Sequence, residues 1–346
     1  MSSHPASPPC RITRETQMEP TKFSKLMTKP LNTASIILAG SSTTRISLAV
    51  LYALFWAAVA VAAVPAEARN SIDRIAGAKG SYITNDGVYR VTFARADVKI
   101  LMGRRTLSPP LGLSSWAAFA SNVHHDALLT GQLVLLDDEV NPVLSVVLDN
   151  GLEATGLGSL FLFEQPRIMS LNIMGVGDFQ TLASSFRKAL DEIRKQRSAS
   201  PQPRGPALGT AKPENNNIDA GPLNAVLSMK GEVRDGVYRA AIGRKALLRG
   251  EPIGREMGIS TWIAVAGTNE RAFAQGEFVA TPGELQVVLK ALRASGINIT
   301  AIRNHMLGEH PQFIFVHCWG QGEAVALAKR LRHALDLQVG EAGEKI

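Results

Sequence analysis

Apolar positions along this chain switch repeatedly between two periods. Leu285, Val288, Leu289 and Leu292 recur at helical spacing behind Thr281-Pro282-Gly283-Glu284, a capping box with proline at the first helical position, and Gly296 ends the run. Val140, Val143, Leu144 and Val147, closed by Gly151, repeat that helix earlier in the chain. A second helical stripe carries Leu182, Phe186 and Leu190 in one place and Leu327, Leu331 and Leu335 in another. Between these lie short segments with strand character at 88–93, 116–120, 131–136, 152–157 and 167–174, each with a later counterpart. The order is βββαββα, and amphipathic helices of this kind need a sheet to cover. The expected fold class is α+β, with antiparallel sheets carrying helices on one face.

The pattern occurs twice because the sequence does. Asp86-Gly87-Val88-Tyr89-Arg90 returns as Asp235-Gly236-Val237-Tyr238-Arg239, and Gly112-Leu113-Ser114-Ser115-Trp116 as Gly258-Ile259-Ser260-Thr261-Trp262. Gly131, Glu139, Gly151, Glu164, Pro166, Gly175 and Gly177 each find a partner 145 residues later. A constant offset through successive elements indicates paired domains, since solenoid units are far shorter, about 20–50 residues. The expected units are 74–196 and 221–337, with 197–220 as a linker holding Pro201, Pro203, Pro206 and Pro213 among polar residues.

Nineteen residues from Ile46 to Val64 carry no charge, with Arg45 before them and Pro65-Ala66-Glu67-Ala68 after. This predicts an export signal within a presequence of 1–68, cleaved after Ala68, with a membrane anchor formed by the uncleaved run as the alternative. A start at Met27 gives a more ordinary signal length. The expected location is periplasmic or extracellular, with contact to a membrane only through the apolar run if it stays attached. The whole chain has 37 basic and 30 acidic residues, and without 1–68 the balance is 31 against 27. The remaining positive charges are scattered, which argues against a nucleic-acid partner. Cys10 leaves with the presequence, so Cys318 has no partner for an intramolecular disulfide, and no cysteine follows the signal to carry a lipid.

Candidate chemistry gathers in the second unit. A hairpin centred near Pro311 sets His305 opposite His317, where Cβ atoms lie about 4.5–5.5 Å apart. Glu277, on the neighbouring strand, adds an oxygen. Two imidazoles and a carboxylate can share a divalent metal or hold a small ligand. At the corresponding positions the first unit has Gln132, Leu160 and Asn172, so all three ionisable groups change together. The competing reading is structural: Phe313, Phe315, His317 and Trp319 alternate on one face, as core residues do. Glu309 and His310 read as exposed turn residues at the hairpin tip, available as optional additions. His124-His125-Asp126 is metal-like in composition but sits in a loop. Tyr89 with Arg90, Tyr238 with Arg239, Trp116 and Trp262 read as structural.

The Gly-x-Ser-x-Trp motif, the capped helix, Asn304-His305-Met306-Leu307-x-Glu309-x-Pro311 and His317-x-Trp319-Gly320 together resemble the LppY/LpqO-type family, exported bacterial proteins of unknown function. The resemblance covers roughly residues 74–336. This chain departs from the family pattern at Arg303-Asn304-His305, where the family usually has His-Asn-His, and at Gly158-Ser159-Leu160, where the first half usually repeats the histidines. The relatives that give the family its name resemble lipoproteins, and the cysteine for that is missing here.

Three functions remain compatible with these residues. The leading one is a non-catalytic ligand-binding or accessory protein of the envelope, whose partner is a small ligand or an envelope component. The second is a metal-dependent hydrolase, with Glu277, His305 and His317 on zinc and Glu309 as the base. The third is a structural module that docks on a partner.

Overall fold

A computed structural model describes residues 63–201 and 215–338. The first repeat opens with helix α1 (Ala66–Ala76) and the hairpin β1 (Ser81–Ile83) and β2 (Val88–Ala94). A two-stranded excursion, β3 (Leu101–Met102) and β4 (Arg105–Thr106), leads to β5 (Ser114–Asn122) and β6 (Asp126–Leu136). Then come α2 (Val140–Asp149), β7 (Glu153–Ser159), β8 (Glu164–Gln165), β9 (Ile168–Gly177) and α3 (Phe179–Ala199). The second repeat follows the same course: α4 (Ala220–Leu227), β10 (Glu232–Arg234), β11 (Val237–Gly243), β12 (Ala246–Leu248), β13 (Glu251–Ile253), β14 (Ser260–Gly267) and β15 (Ala272–Ala280). It ends with α5 (Pro282–Ala294), β16 (Asn298–Arg303), β17 (Glu309–His310), β18 (Ile314–Gly322) and α6 (Ala324–Asp336).

Each repeat forms a six-stranded antiparallel sheet, ordered β1-β2-β5-β6-β9-β7 and β10-β11-β14-β15-β18-β16. The likeness extends to single residues. Gln132 pairs with Asn172 as Glu277 pairs with His317, and the β7 irregularity between Ala154 and Gly156 recurs in β16 between Ile299 and Ala301. Small three-stranded sheets, β4-β3-β8 and β13-β12-β17, complete the two rims.

Strand alternation sorts the side chains into layers. On β15, Ala274, Phe278 and Ala280 pack with α5 and α6 residues such as Val288, Leu292 and Leu331. The intervening Phe273 and Val279 join clusters that include Val134 and Leu136, or Ala118 and Met174, of the first repeat. The first sheet likewise buries Leu129, Leu133 and Ile173 under Val143, Phe186 and Leu190. The result is four layers, helices outside and two sheets face to face inside, with helices on one face of each sheet as expected from the amphipathic stripes.

The repeated motifs have structural duties. Asp86-Gly87 and Asp235-Gly236 turn the hairpins, and Gly87, Asp235 and Gly236 all have positive φ. Tyr89 donates to Asp73 of α1, and Tyr238 donates to Asn224 of α4 at 3.0 Å. Arg90 stacks over Trp116 at 3.9 Å and Arg239 over Trp262 at 4.4 Å. The glycines of the tryptophan motif lie against the opposite repeat: a Cβ on Gly258 would meet Trp116, and one on Gly112 would meet Trp262.

The leading helices α1 and α4 and the strands β1 and β10 are additions to the βββαββα pattern. Helix α1 is polar on most faces and buries only Ser71, Ile72 and Ala76, a stripe too thin to stand out in the sequence. It runs through Ala66, Glu67 and Ala68, and Val64 before it is buried in the first repeat's core. Most of the uncharged run, and linker residues 202–214, lie outside the described residues. Among those described, no helix is long and apolar enough to cross a membrane.

Candidate metal centre

One row of paired residues crosses the second sheet as Ala241, Trp262, Glu277, His317 and Ala301. Paired residues share a face, and this row faces the first repeat's sheet. Glu277 and His317 are therefore direct cross-strand partners. They lie between two apolar clusters, one with Val134, Phe273 and Trp319, the other with Met174, Val279 and Phe315.

His305 arrives by a different route from the one its spacing suggested. The register of β16 on β18 puts Ala301, not His305, opposite His317, so the hairpin centres on Glu309 instead of Pro311. The irregularity between Ile299 and Ala301 and the loop after Arg303 let the chain fold back over β18. The His305 ring then stacks flat on Phe315, with centroids 3.7 Å apart and 5° between planes. Its backbone carbonyl accepts a 2.6 Å bond from Thr155, the residue in the β7 irregularity of the first repeat.

The expected trio converges. Glu277 Oε2 lies 2.7 Å from His317 Nε2 and 3.1 Å from His305 Nε2, and the two Nε2 atoms are 3.3 Å apart. Glu277 is 2% exposed, His305 5% and His317 0%. Ligands about 2.0 Å from one tetrahedral zinc lie about 3.3 Å from one another, so the three atoms already have nearly the required spacing. Among the described residues this is the one group of three or more His, Cys, Asp or Glu side chains whose ligand atoms come within 4.8 Å.

Arg303 is the fourth member, and its role was not expected. Its Nη2 lies 2.8 Å from His317 Nε2, and its Nη1 donates to the carbonyls of Ser170 at 3.1 Å and Gly158 at 3.3 Å in the first repeat. Burial lowers the guanidinium to about 10 against the pull of Glu277, leaving it charged at neutral pH. Burial and the charge of Arg303 push His317 down to about 4 despite Glu277, so its imidazole is neutral at pH 7. Burial favours a neutral Glu277 carboxyl, but His305 and His317 outweigh it and hold the group below the usual carboxylate range.

These contacts conflict at one atom. If His317 Nε2 carries a proton, it meets an Arg303 N–H donor; if it does not, its lone pair meets a carboxylate oxygen at 2.7 Å. A cation shared by the three ligand atoms resolves the second case, which is the fit expected of a metal centre. Both Nδ1 atoms are buried without a hydrogen-bond partner, as are Gln275 Nε2 and Oε1, Asn172 Oδ1 and Trp319 Nε1. The His305 imidazole is thus oriented by packing on Phe315, with its backbone held by Thr155, and not by an outer hydrogen bond.

The other candidates do not join. Glu309 is buried instead of exposed, because β17 pairs with β12 and its Oε1 accepts the Phe313 amide at 3.0 Å. Glu164 does the same for Ile168 in the first repeat, so the residue keeps a loop duty in both halves. His310 is exposed beside Leu247. His124, His125 and Asp126 are exposed in the β5–β6 turn, where Asn122 Oδ1 accepts the amides of both histidines. The first repeat's Gln132, Leu160 and Asn172 are all buried and bring no ionisable group to the interlayer.

No curated protein matches the chain. Among solved structures, that of a trimeric bacterial microcompartment shell protein, PduB, is similar over 77% of this chain and 94% of that chain, at 11% identity and a TM-score of 0.22. At that score the likeness bears on neither fold nor function. One family matches each repeat separately, at residues 70–192 and 221–337, and the chain belongs to it: the family described as Domain of Unknown Function (DUF1259).

Proposed function

We propose that this protein is a non-catalytic binding protein of the cell envelope, and that it holds one divalent metal of the zinc class at Glu277, His305 and His317. The observation that carries the reading is the convergence of Oε2 and two Nε2 atoms at 2.7–3.3 Å in a buried interlayer. Neutral imidazole is the form a metal needs, and His317 is neutral at pH 7. The envelope placement is supported by the uncharged run behind Arg45 and by the resemblance to exported LppY/LpqO-type proteins. A hydrolase needs an open coordination position and a free base. The burial of all three ligands and the engagement of Glu309 with Phe313 leave Glu309 unavailable as that base and favour a non-catalytic centre.

Calorimetric titration of the metal-free protein with zinc tests this. One equivalent should bind, and His305→Ala should abolish it while leaving the circular dichroism unchanged. Binding that survives His305→Ala would place the metal elsewhere.

A further inference from the structure

The position of Arg303 bears on how such a centre fills, an inference that rests on the metal-binding reading above. We propose that the Arg303 guanidinium is a resident cation of the centre, lying against His317 in the metal-free protein, and that a divalent metal enters by displacing it. Its Nη2 stands 2.8 Å from the same Nε2 that faces Glu277 Oε2 at 2.7 Å. A metal bound to that Nε2 takes the lone pair to which the guanidinium donates, and two cations at that separation in a buried layer repel. Arg303 and a metal therefore compete for one atom.

The first repeat is shaped to hold this arginine. Gly158 stands at the position equivalent to Arg303, its pairing with Ser170 matching that of Arg303 with Phe315. The carbonyls of Gly158 and Ser170 accept from Arg303 Nη1. A Cβ on Gly158 would lie 3.0 Å from that Nη1, so the missing side chain is the room the guanidinium uses. Those two carbonyls anchor the side chain from the first repeat while its other nitrogen reaches the imidazole. The arginine thus lowers the affinity of the centre for a metal without being a ligand.

The test is calorimetric titration with zinc of the full chain and of Arg303→Met, which keeps the aliphatic stem but loses the charge. Arg303→Gln, whose amide can still donate to a first-repeat carbonyl, serves if the methionine variant melts early. Arg303→Lys reports on retained charge. The expected result is at least a tenfold tightening in the neutral variant at unchanged one-to-one stoichiometry, with Arg303→Lys tightening less. Zinc binding by the neutral variant but not by the native chain also supports displacement. Native protein that binds one equivalent, with the folded neutral variant equal or weaker, overturns the competition and leaves the metal centre standing. No binding by any of these proteins, all folded, overturns the metal centre itself and the inference with it.

Discussion

Gly158 and Arg303 occupy equivalent positions in the two repeats, and the carbonyl of the first accepts a hydrogen bond from the guanidinium of the second at 3.3 Å. The duplication has thus become a complementary pair. One copy carries the ionisable side chains, and the other has glycine at the crossing of β7 and β16, where backbone comes close to backbone. Neither Gly156 nor Gly158 has positive φ, so close approach, not backbone conformation, is what calls for glycine there.

The two glycines should respond differently to the same methyl group. A Cβ on Gly156 would sit 2.3 Å from the carbonyl oxygen of Asn304, which is backbone and cannot swing aside. Gly156→Ala should cost about 1–3 kcal/mol by overpacking. A Cβ on Gly158 would meet Arg303 Nη1 at 3.0 Å and the Ala301 Cβ at 3.2 Å, contacts that yield by a few tenths of an ångström, so Gly158→Ala should cost less than Gly156→Ala. Urea denaturation of both variants decides it, and equal costs would show that the Asn304 contact does not govern the crossing.

A second expectation concerns acid stability. Arg244 Nη2 donates to Glu284 Oε1 at 3.2 Å, and Glu284 Oε2 accepts the Thr281 amide at 2.8 Å at the start of α5. Burial favours the neutral acid, but Arg244 and the Thr281 amide outweigh it, so the folded-state pKa lies below the ordinary value. A depressed carboxylate stabilises the fold above its unfolded pKa, about 4.3, and that contribution disappears as pH falls through the folded value. Glu284→Gln should therefore be less stable than the native chain at pH 7, with the gap narrowing below about pH 4. Thermal melts across pH 3–7 check the sign; a gap that widens in acid would contradict it.

Much of this architecture was legible because it was written twice. Helical stripes at Leu285–Leu292 and Leu327–Leu335, the Asp-Gly turns and the constant offset together define the strand order and the two-fold repetition. Helix α1 was hidden by its thin apolar stripe, and the three-stranded rims by strands of only two or three residues. In the site, the joint replacement of Glu277, His305 and His317 by Gln132, Leu160 and Asn172 pointed to one cluster. The route of His305 was not legible, because the register of β16 depends on an irregularity that leaves no mark in the sequence. Arg303 stood in the sequence only as a departure from a family pattern. Its significance comes from Gly158 and Ser170, residues more than a hundred positions away.

The start of α1 supplies a third expectation. Val64 is 1% exposed within the first repeat's core, its amide donates to the Gly87 carbonyl at 3.4 Å, and Arg69 donates to Pro65 at 3.0 Å. A chain begun at Arg69 loses all of these, whereas one begun at Ala63 keeps them. Full burial of a valine is worth about 1.5–3 kcal/mol, and the shorter chain should be less stable by that order. Calorimetric melting of the two forms measures the difference; coincident melting points would mean that Val64 does not contribute to the fold.

The first repeat also supplies the control for the metal centre. Gln132 and Asn172 hold the cross-strand positions that Glu277 and His317 hold in the second, in the same register and equally within the interlayer. Glu277→Gln with His317→Asn therefore rebuilds, in the second repeat, a pair already compatible with this sheet. The double variant should fold, because the first repeat already accommodates glutamine and asparagine at these paired positions, but it removes the carboxylate that attracts Arg303 and should be less stable than the native chain. It should also gain nothing from zinc, since one imidazole alone cannot replace three converging ligands. The native chain should gain stability by mass action, about 2.7 kcal/mol when free zinc is 100 times the dissociation constant. Melting of both proteins with zinc and with a chelator gives the readout. A native chain and an Arg303→Met variant both indifferent to zinc would assign His305 and His317 to the core alone, and a double variant that still gains stability would put the metal on other residues.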